Sequence, residues 1–384
     1  MHIGIVFAGP FPSALALGRN GMAAYVDDLM RKLVKKGHSV TIVMRGAHKM
    51  SLEVVGNNLR IFRAPFIKAY PFHVHIHGLF VNRLIRLLQP ELDIIHVHSP
   101  YVPAVTTSLP VVTTMHSLLK VDIAHYEAVG PRAIAYKMCS NIFSSMELEL
   151  LRNSDVLTAV SSHLFSELRT SYGLEREGLV LGNGVDEQRF APANTRTATR
   201  DYVLYVGRMD YRKGLFDLID CARRVCRERP SVSFVLVGTG PLVGHVLKRV
   251  ADIGIRKNIV VTGHVSKDQL IELYQNASTL ALPSHYEGLP TVLLEAMACG
   301  IPVVATGIGG HTDVISHGLN GFLVPVKSPG DMARYILTLL DDEDLREKIG
   351  RAGRATIENR YTWDRIADKV LGCYQSASSL AKGQ

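Results

Sequence analysis

Short apolar runs alternate with longer stretches of helical periodicity along the whole chain. Residues 2–7 read as a buried strand, and 21–36 as an amphipathic helix with Tyr25, Leu29, Leu33 and Val34 turned inward. Gly37 ends that helix, and 39–44 form the next strand. Further strands are expected at 94–98, 111–115 and 156–160, with helices at 79–88 and around 133–152. The pattern restarts after Asn183-Gly184-Val185-Asp186. Strands follow at 202–206, 232–237, 259–262, 279–282 and 302–305, separated by helices at 215–227, 242–252, 267–275 and 289–299. The polar stretch 192–201 reads as a surface loop.

Strand–helix alternation with continuously apolar strands means parallel sheets covered on both faces. A length of 384 residues suits two domains of ordinary size. The expected class is therefore α/β, with two Rossmann-like doubly wound domains facing a cleft. The boundaries fall at 1–182 and 183–361, and a closing helix over 362–380 packs back on the first domain. Ligands of such sheets bind where loops converge at the carboxyl ends of the strands.

Composition narrows the choice of partner only a little. The chain is 47% hydrophobic and 20% charged, enough for a large core, and its formal net charge is +8. A basic surface attracts phosphate-bearing substrates, anionic lipid or nucleic acid. No aromatic–basic interleaving or nucleic-acid module is present, so nucleic acid ranks lowest. Helix 21–36 carries Arg31, Lys32, Lys35 and Lys36 but also Asp27 and Asp28, which favours an ordinary surface helix over a membrane-binding one. Peripheral contact with the inner face of a membrane is kept as a second expectation.

Cys139, Cys221, Cys226, Cys299 and Cys373 are scattered, with no Cys-x-x-Cys pair. That argues against a disulfide framework or a zinc site and fits a reducing, cytoplasmic setting. No apolar run approaches the roughly 20 residues that span a bilayer. The apolar N-terminus lacks a basic leader and is interrupted by Pro10 and Pro12, so it reads as a strand rather than a signal peptide.

The most informative segment for chemistry is 283–306. A strand ends at Leu282, a turn carries Glu287 and Gly288, and a helix follows until Gly300 and Pro302 stop it. Unpaired N–H groups at that helix start make a natural diphosphate site. Glu287 precedes the helix and Glu295 lies about two turns in, too far apart to touch, so they suit two parts of one extended ligand. Taken alone, a polar loop residue and an unrelated surface Glu are an equally good account.

The neighbouring motifs tip that balance. Glu287 and Glu295, with seven residues between them, resemble the Glu-x7-Glu motif of the group 1, family 4 retaining glycosyltransferases, which have the two-domain GT-B fold. Asn20-Gly21 sits where that family has a Gly-Gly loop at a helix start. Residues 93–100, 110–116, 159–161, 183–186, 205–214, 237–241, Gly309-Gly310, Asn320-Gly321 and 361–363 follow in the family's order. Each is weak alone, but together they cover nearly the whole chain.

The resemblance implies roles residue by residue. Glu295 would accept hydrogen bonds from the ribose diol, and Glu287 would meet hydroxyls of the transferred sugar. Arg208 and Lys213 would hold the diphosphate. Gly288, Leu289, Pro290 and Thr291 would line the donor at the helix start. Gly21 would let backbone approach the phosphates, and Gly240 and Val265 would border the base. His116 matches the family's histidine near the reacting sugar, and His98 is an acceptor-side candidate. A lone His after a strand is more often structural, but His116 sits at a strand end where a cleft is expected.

The implied reaction moves a sugar from a nucleoside-diphosphate sugar to a hydroxyl acceptor with retention, the acceptor being a glycolipid, polysaccharide or small molecule. Lipid-linked acceptors are common in the family. No cofactor is implied, and no Asp-x-Asp pair is placed for a divalent ion, so metal-independent catalysis is expected. His73, His75 and His77 alternate, as do His96 and His98. On an extended segment such side chains lie about 7 Å apart, too far for a compact metal site. Asn20 in place of a Gly, Gly182 in place of a Pro, Asp313 in place of a Glu and the short 100–110 stretch depart from the family pattern. An epimerase on the same fold and a non-catalytic nucleotide-sugar-binding protein are the alternatives.

Overall fold

The computed structural model describes residues 1–10, 21–46, 49–67, 69, 72–124, 138–193 and 200–382. Asn20, residues 133–137 of the expected helix and residues 194–199 of the expected loop lie outside them. The chain divides into two compact units. One holds Met1–Gly182 and Trp363–Gln384, the other Asn183–Thr362.

The first unit is built on an eight-stranded sheet of order β3-β4-β2-β1-β5-β6-β7-β8. Its central strands are β1 (His2–Pro10), β2 (Ser39–Arg45), β5 (Ile94–Ser99), β6 (Val111–Met115) and β7 (Val156–Ala159), with the short β8 (Leu179–Val180) at one edge. All neighbours pair in parallel except β3 (Ser51–Val54) on β4 (Leu59–Ala64), which is antiparallel. Every residue of β5 and β6 is buried, as a parallel sheet clothed by helices requires. The β3–β4 hairpin is an addition to the expected elements. Leu52 and Val54 of β3 are exposed at the sheet edge, so no buried apolar run marked it.

Helix Gly21–Lys35 buries Ala23, Tyr25, Val26, Leu29, Met30 and Leu33, with Val34 half-buried at its margin. Gly37 closes it at φ +86°, where the N–H of Gly37 donates to Val34 O and that of His38 to Leu33 O. Helix Trp363–Lys382 lies along it, and Lys32 and Lys36 pair with Asp364 and Asp368 at 2.9 and 2.7 Å.

Residues 73–77 are helical, not extended. Val74, His77, Gly78, Val81, Leu84, Ile85 and Leu88 form the buried stripe of helix His73–Leu88, a 3.6-residue period that overrode the alternation of histidines. Stretch 100–110 carries no helix. All five cysteines are free thiols. Among the described residues, no helix is long and apolar enough to cross a membrane.

The second unit is an all-parallel six-stranded sheet of order β11-β10-β9-β12-β13-β14. Its strands are β9 (Tyr202–Val206), β10 (Ser233–Val237), β11 (Ile259–Gly263), β12 (Thr279–Leu282), β13 (Val303–Thr306) and β14 (Phe322–Val324). From β9 the chain builds outward through β10 and β11, then returns to the other side of β9 to lay down β12, β13 and β14. Strand order therefore reverses between β9 and β12, the crevice where doubly wound sheets bind ligands. In the first unit the same reversal falls between β1 and β5.

Candidate active site

Three loops converge above the reversal point of the second sheet. After β9, Gly207 N donates to Val237 O and Met209 N to Thr239 O, so the 207–213 loop is laced to the end of β10. Asp210 caps the single turn Tyr211–Lys213 by accepting from Arg212 N at 3.1 Å. Gly214 then turns the chain at φ +65°, and a Cβ there would lie 2.0 Å from Pro283 O. Only glycine allows this approach, which sets Lys213 beside the loop that follows β12.

That loop carries Glu287. The Lys213 ammonium donates to Glu287 Oε1, and the Ser284 hydroxyl donates to the same oxygen at 2.9 Å. Burial pushes the Glu287 carboxyl up, but the Lys213 charge and hydrogen bond outweigh it, and the group sits below its ordinary range. Gly309 and Gly310 press on the loop from the end of β13. A Cβ on Gly309 would meet Glu287 O at 1.9 Å, and Gly310 N donates to Gly288 O at 2.5 Å. His311 follows, fully buried, its Nδ1–H donating to Thr306 O at 2.7 Å. Burial lowers its pKa.

Helix Thr291–Ala298 starts at Pro290 with no side chain capping its first turn, so its leading N–H groups remain donors. Asn183 donates to Leu289 O and fixes the approach to that helix. Gly300, at φ +73°, ends the helix, with Gly300 N donating to Met297 O and Ile301 N to Ala296 O. Within the helix, Glu295 Oε2 accepts from the buried Tyr274 hydroxyl at 2.8 Å. Arg208 is the exposed cation of the group, 3.5 Å from Asp210 with 69% of its side chain accessible. Gly240 nests against the first loop, where a Cβ would lie 2.3 Å from Met209 O, and Val265 is half-buried after β11.

The second unit thus carries Arg208, Lys213, Gly240, Val265, Glu287, Gly288, Leu289 and Pro290 on its strand-end loops, and Thr291 and Glu295 on the helix that follows. The first unit gathers the others. Gly21 opens helix Gly21–Lys35 with space beside it among the described residues. His116 follows β6; its N–H donates to Ser99 O at 3.2 Å. His98, the acceptor-side candidate, is fully buried. Its Nδ1 meets His116 Nε2 at 3.1 Å, so one shared N–H joins the two rings. Tyr25 packs edge-on to His116 at 4.7 Å between centroids and to Trp363 at 5.2 Å. His96 is held by the Tyr374 hydroxyl and Thr114 Oγ1. Burial lowers His96 and His116 to about 3 and His98 well below 6.5, so all three are neutral imidazoles at physiological pH.

Among the described residues, no cluster of three or more His, Cys, Asp and Glu could hold a metal ion. The sequence reading missed Ser284, Asp210, Tyr274 and His311, which touch or hold the expected site residues. It also missed Glu147, a charge on the buried stripe Phe143, Met146, Glu147, Leu150 and Leu151 of helix Ser140–Arg152. A carboxylate at a core position of a helical repeat was the legible signal.

Comparison with known proteins agrees with this architecture. Residues 186–356 match the family described as glycosyl transferases group 1, and 19–189 match glycosyltransferase family 4. An uncharacterised glycosyltransferase of Methanocaldococcus jannaschii is 27% identical over 378 residues, covering 94% of this chain and 95% of that one. A glycogen synthase of Mycobacterium tuberculosis is 26% identical over 386 residues, covering 93% and 91%. Among solved structures, sucrose-phosphate synthase from Thermosynechococcus elongatus superposes with a TM-score of 0.78 at 21% identity, covering 99% of each chain. With its two Rossmann-like units and both family matches in sequence, the chain belongs to the group 1, family 4 glycosyltransferases of the GT-B fold.

Proposed function

We propose that this glycosyltransferase takes its sugar from a nucleoside-diphosphate sugar held by the second unit and transfers it to an acceptor hydroxyl with retention at the anomeric carbon. The observation that carries the reading is the Lys213–Glu287 pair, placed at the strand-order reversal beside an uncapped helix start. A cation, a carboxylate and free backbone donors side by side match a charged diphosphate joined to a polyhydroxyl group.

Arg208, Lys213 and the first amides of helix Thr291–Ala298 would meet the diphosphate, with Gly288, Leu289 and Pro290 shaping its approach. Glu287 would accept from hydroxyls of the transferred sugar. Glu295, oriented by Tyr274, would accept from the ribose diol, while Gly240 and Val265 border the base. In the first unit, Gly21 would admit a phosphate and His116 would contact the reacting sugar as a neutral ring. No side chain is assigned as a nucleophile. The bond from the anomeric carbon to the leaving phosphate oxygen breaks as the bond to the acceptor oxygen forms on the same face. The acceptor proton passes to the departing phosphate oxygen. The protein contributes position and stabilisation of the growing diphosphate charge, and no divalent ion is invoked. A glycolipid, polysaccharide or small molecule with a free hydroxyl would each satisfy this chemistry.

The test is a melting-temperature panel with UDP-, GDP- and ADP-sugars beside the bare nucleotides, followed by NMR of the product's anomeric coupling. A ligand that binds only the folded chain raises the transition. One nucleotide class should do so, and the product should keep the donor's anomeric configuration. No stabilisation by any of them, or an inverted product, would sink the reading.

A further inference from the structure

Outside the residues assigned above, the most heavily bonded buried charge among the described residues of the first unit is Glu147, only 3% exposed. Its Oε1 accepts from the Ser99 hydroxyl at 2.9 Å, and its Oε2 from the Leu119 N–H at 2.8 Å and from the Tyr172 hydroxyl. The three donors come from three different elements. Ser99 is the last residue of β5, next to His98. Leu119 opens helix Leu119–Ala124, three residues after His116. Tyr172 ends helix His163–Tyr172 and also accepts from Lys120 N at 3.2 Å.

Ser99 is doubly engaged. Its hydroxyl is held by Glu147, while its carbonyl accepts from the His116 N–H. His116 is therefore fixed at its backbone by Ser99, at its ring by His98, and three residues on by the Leu119 bond to Glu147. Among the described residues this buried carboxylate meets three donors and no cation, a costly arrangement unless the bonds serve geometry.

We propose that Glu147 is a positioning residue for transfer, tying the end of β5 and the 116–119 loop to one carboxyl group and so fixing His116. The inference rests on the reading of His116 as the residue that meets the reacting sugar. Burial raises the Glu147 carboxyl to about 7, against the pull of its three hydrogen bonds, and nearby Asp122 raises it further. The other groups facing it are Tyr172, itself raised far above its usual value by burial, and the Lys120 backbone. His96, His98 and His116 carry no charge near neutrality, so among these described groups the one that titrates in that range is Glu147. The ionised carboxylate accepts from all three donors with no proton of its own to place among them.

The experiment compares wild type, Glu147→Gln and Glu147→Ala with whichever nucleotide sugar stabilises the wild type. It measures kcat and KM for nucleoside diphosphate release from pH 5.5 to 8.5, together with binding of the bare nucleoside diphosphate. Nucleotide binding should be unchanged in both variants, because Glu147 bonds none of the residues assigned to the nucleotide. In the wild type kcat should rise through about 7. Glu147→Gln, which keeps one acceptor oxygen, should lose that inflection and run near the wild type's acidic limb. Glu147→Ala should lose about 100-fold in kcat, the scale of a misplaced reacting group.

Either variant turning over like the wild type at about pH 8 to 8.5 while still binding nucleotide would overturn the proposal. So would a Glu147→Gln profile that keeps the inflection. If the wild type itself neither binds nor cleaves any nucleotide sugar, the functional reading fails first and takes this inference with it.

Discussion

The carbonyl oxygen of Glu287 lies where a Cβ on Gly309 would sit, 1.9 Å away. Two loops from neighbouring strands, β12 and β13, are thus pressed together backbone to backbone. The contact packs Gly309 against the backbone of the turn whose side chain pairs with Lys213. Gly309 also adopts φ +45°, a region that other residues enter only at a cost. Gly309→Ala should therefore force the Glu287 turn to move, lowering both stability and turnover. Gly244→Ala is the matched control. Gly244 lies in helix Val243–Asp252 with nothing within 4 Å of an added Cβ. It should be neutral or stabilising by about 0.5–1 kcal/mol, because alanine is the better helix former. Urea unfolding of the two variants gives opposite signs if the packing is as described.

Removing Lys213 leaves the Glu287 carboxylate buried without its cation. Lys213→Ala should cost about 1–3 kcal/mol, below the range for a fully buried pair because some of each side chain is accessible. Lys213→Ala combined with Glu287→Gln should cost less than Lys213→Ala alone, since the stranded charge is then gone. A double-mutant cycle by chemical denaturation measures the difference. Additive costs would mean that the pair contributes no coupling.

Arg208 has the opposite profile. Its side chain is mostly exposed, and its contact with Asp210 at 3.5 Å is long. Arg208→Ala should leave stability within about 0.5 kcal/mol of wild type, as surface substitutions usually do. Turnover should nevertheless fall by about 100-fold or more, the scale seen when one charge-stabilising donor is lost. Combined with Lys213→Ala, kcat should fall further than donor affinity. Loss of affinity with the rate at saturation intact would contradict the assigned role.

Stability should depend on pH through two opposed groups in the first unit. His96 and His116 are held near 3 in the fold and titrate near 6.5 when unfolded. The unfolded chain thus binds more protons below 6.5, so this stability is present above 6.5 and is lost as pH falls toward 3. Glu147 is raised to about 7 from 4.5, so its contribution is full below 4.5 and is lost as pH rises through 7. Denaturation midpoints from pH 4.5 to 8.5 should fall on acidification below 6.5. Glu147→Gln should gain stability relative to wild type as pH rises from 5 to 8. A pH-independent difference between them would show that Glu147 does not titrate in this range.

The basic face of helix Gly21–Lys35 is partly neutralised within its own unit. Lys32 and Lys36 are paired with Asp364 and Asp368. Anionic liposomes at low salt should retain little of the wild type, and Asp364→Asn with Asp368→Asn should increase retention if the freed lysines reach the lipid. Strong wild-type flotation would instead favour a membrane-bound enzyme.

The apolar runs determined by themselves that β9, β12 and the other central strands would form, because a strand buried on both faces leaves a continuous hydrophobic signature. Glycine and proline marked the ends of helices Gly21–Lys35 and Thr291–Ala298, since Gly37 and Gly300 alone could take the left-handed turn needed there. Spacing also put Glu287 before helix Thr291–Ala298 and Glu295 within it. The β3–β4 hairpin stayed hidden because edge strands need not bury an apolar face, and the helical histidines misled because local alternation is weaker than a long buried stripe.

Tertiary structure decided what adjacent strand ends do to one another. Nothing in the local sequence brings Lys213 onto Glu287 or presses Gly309 on its carbonyl. Nor does it pair His98 with His116 or aim three donors at Glu147. Those contacts join residues far apart in the chain, and they exist because the order of strands in each sheet sets which loops emerge side by side.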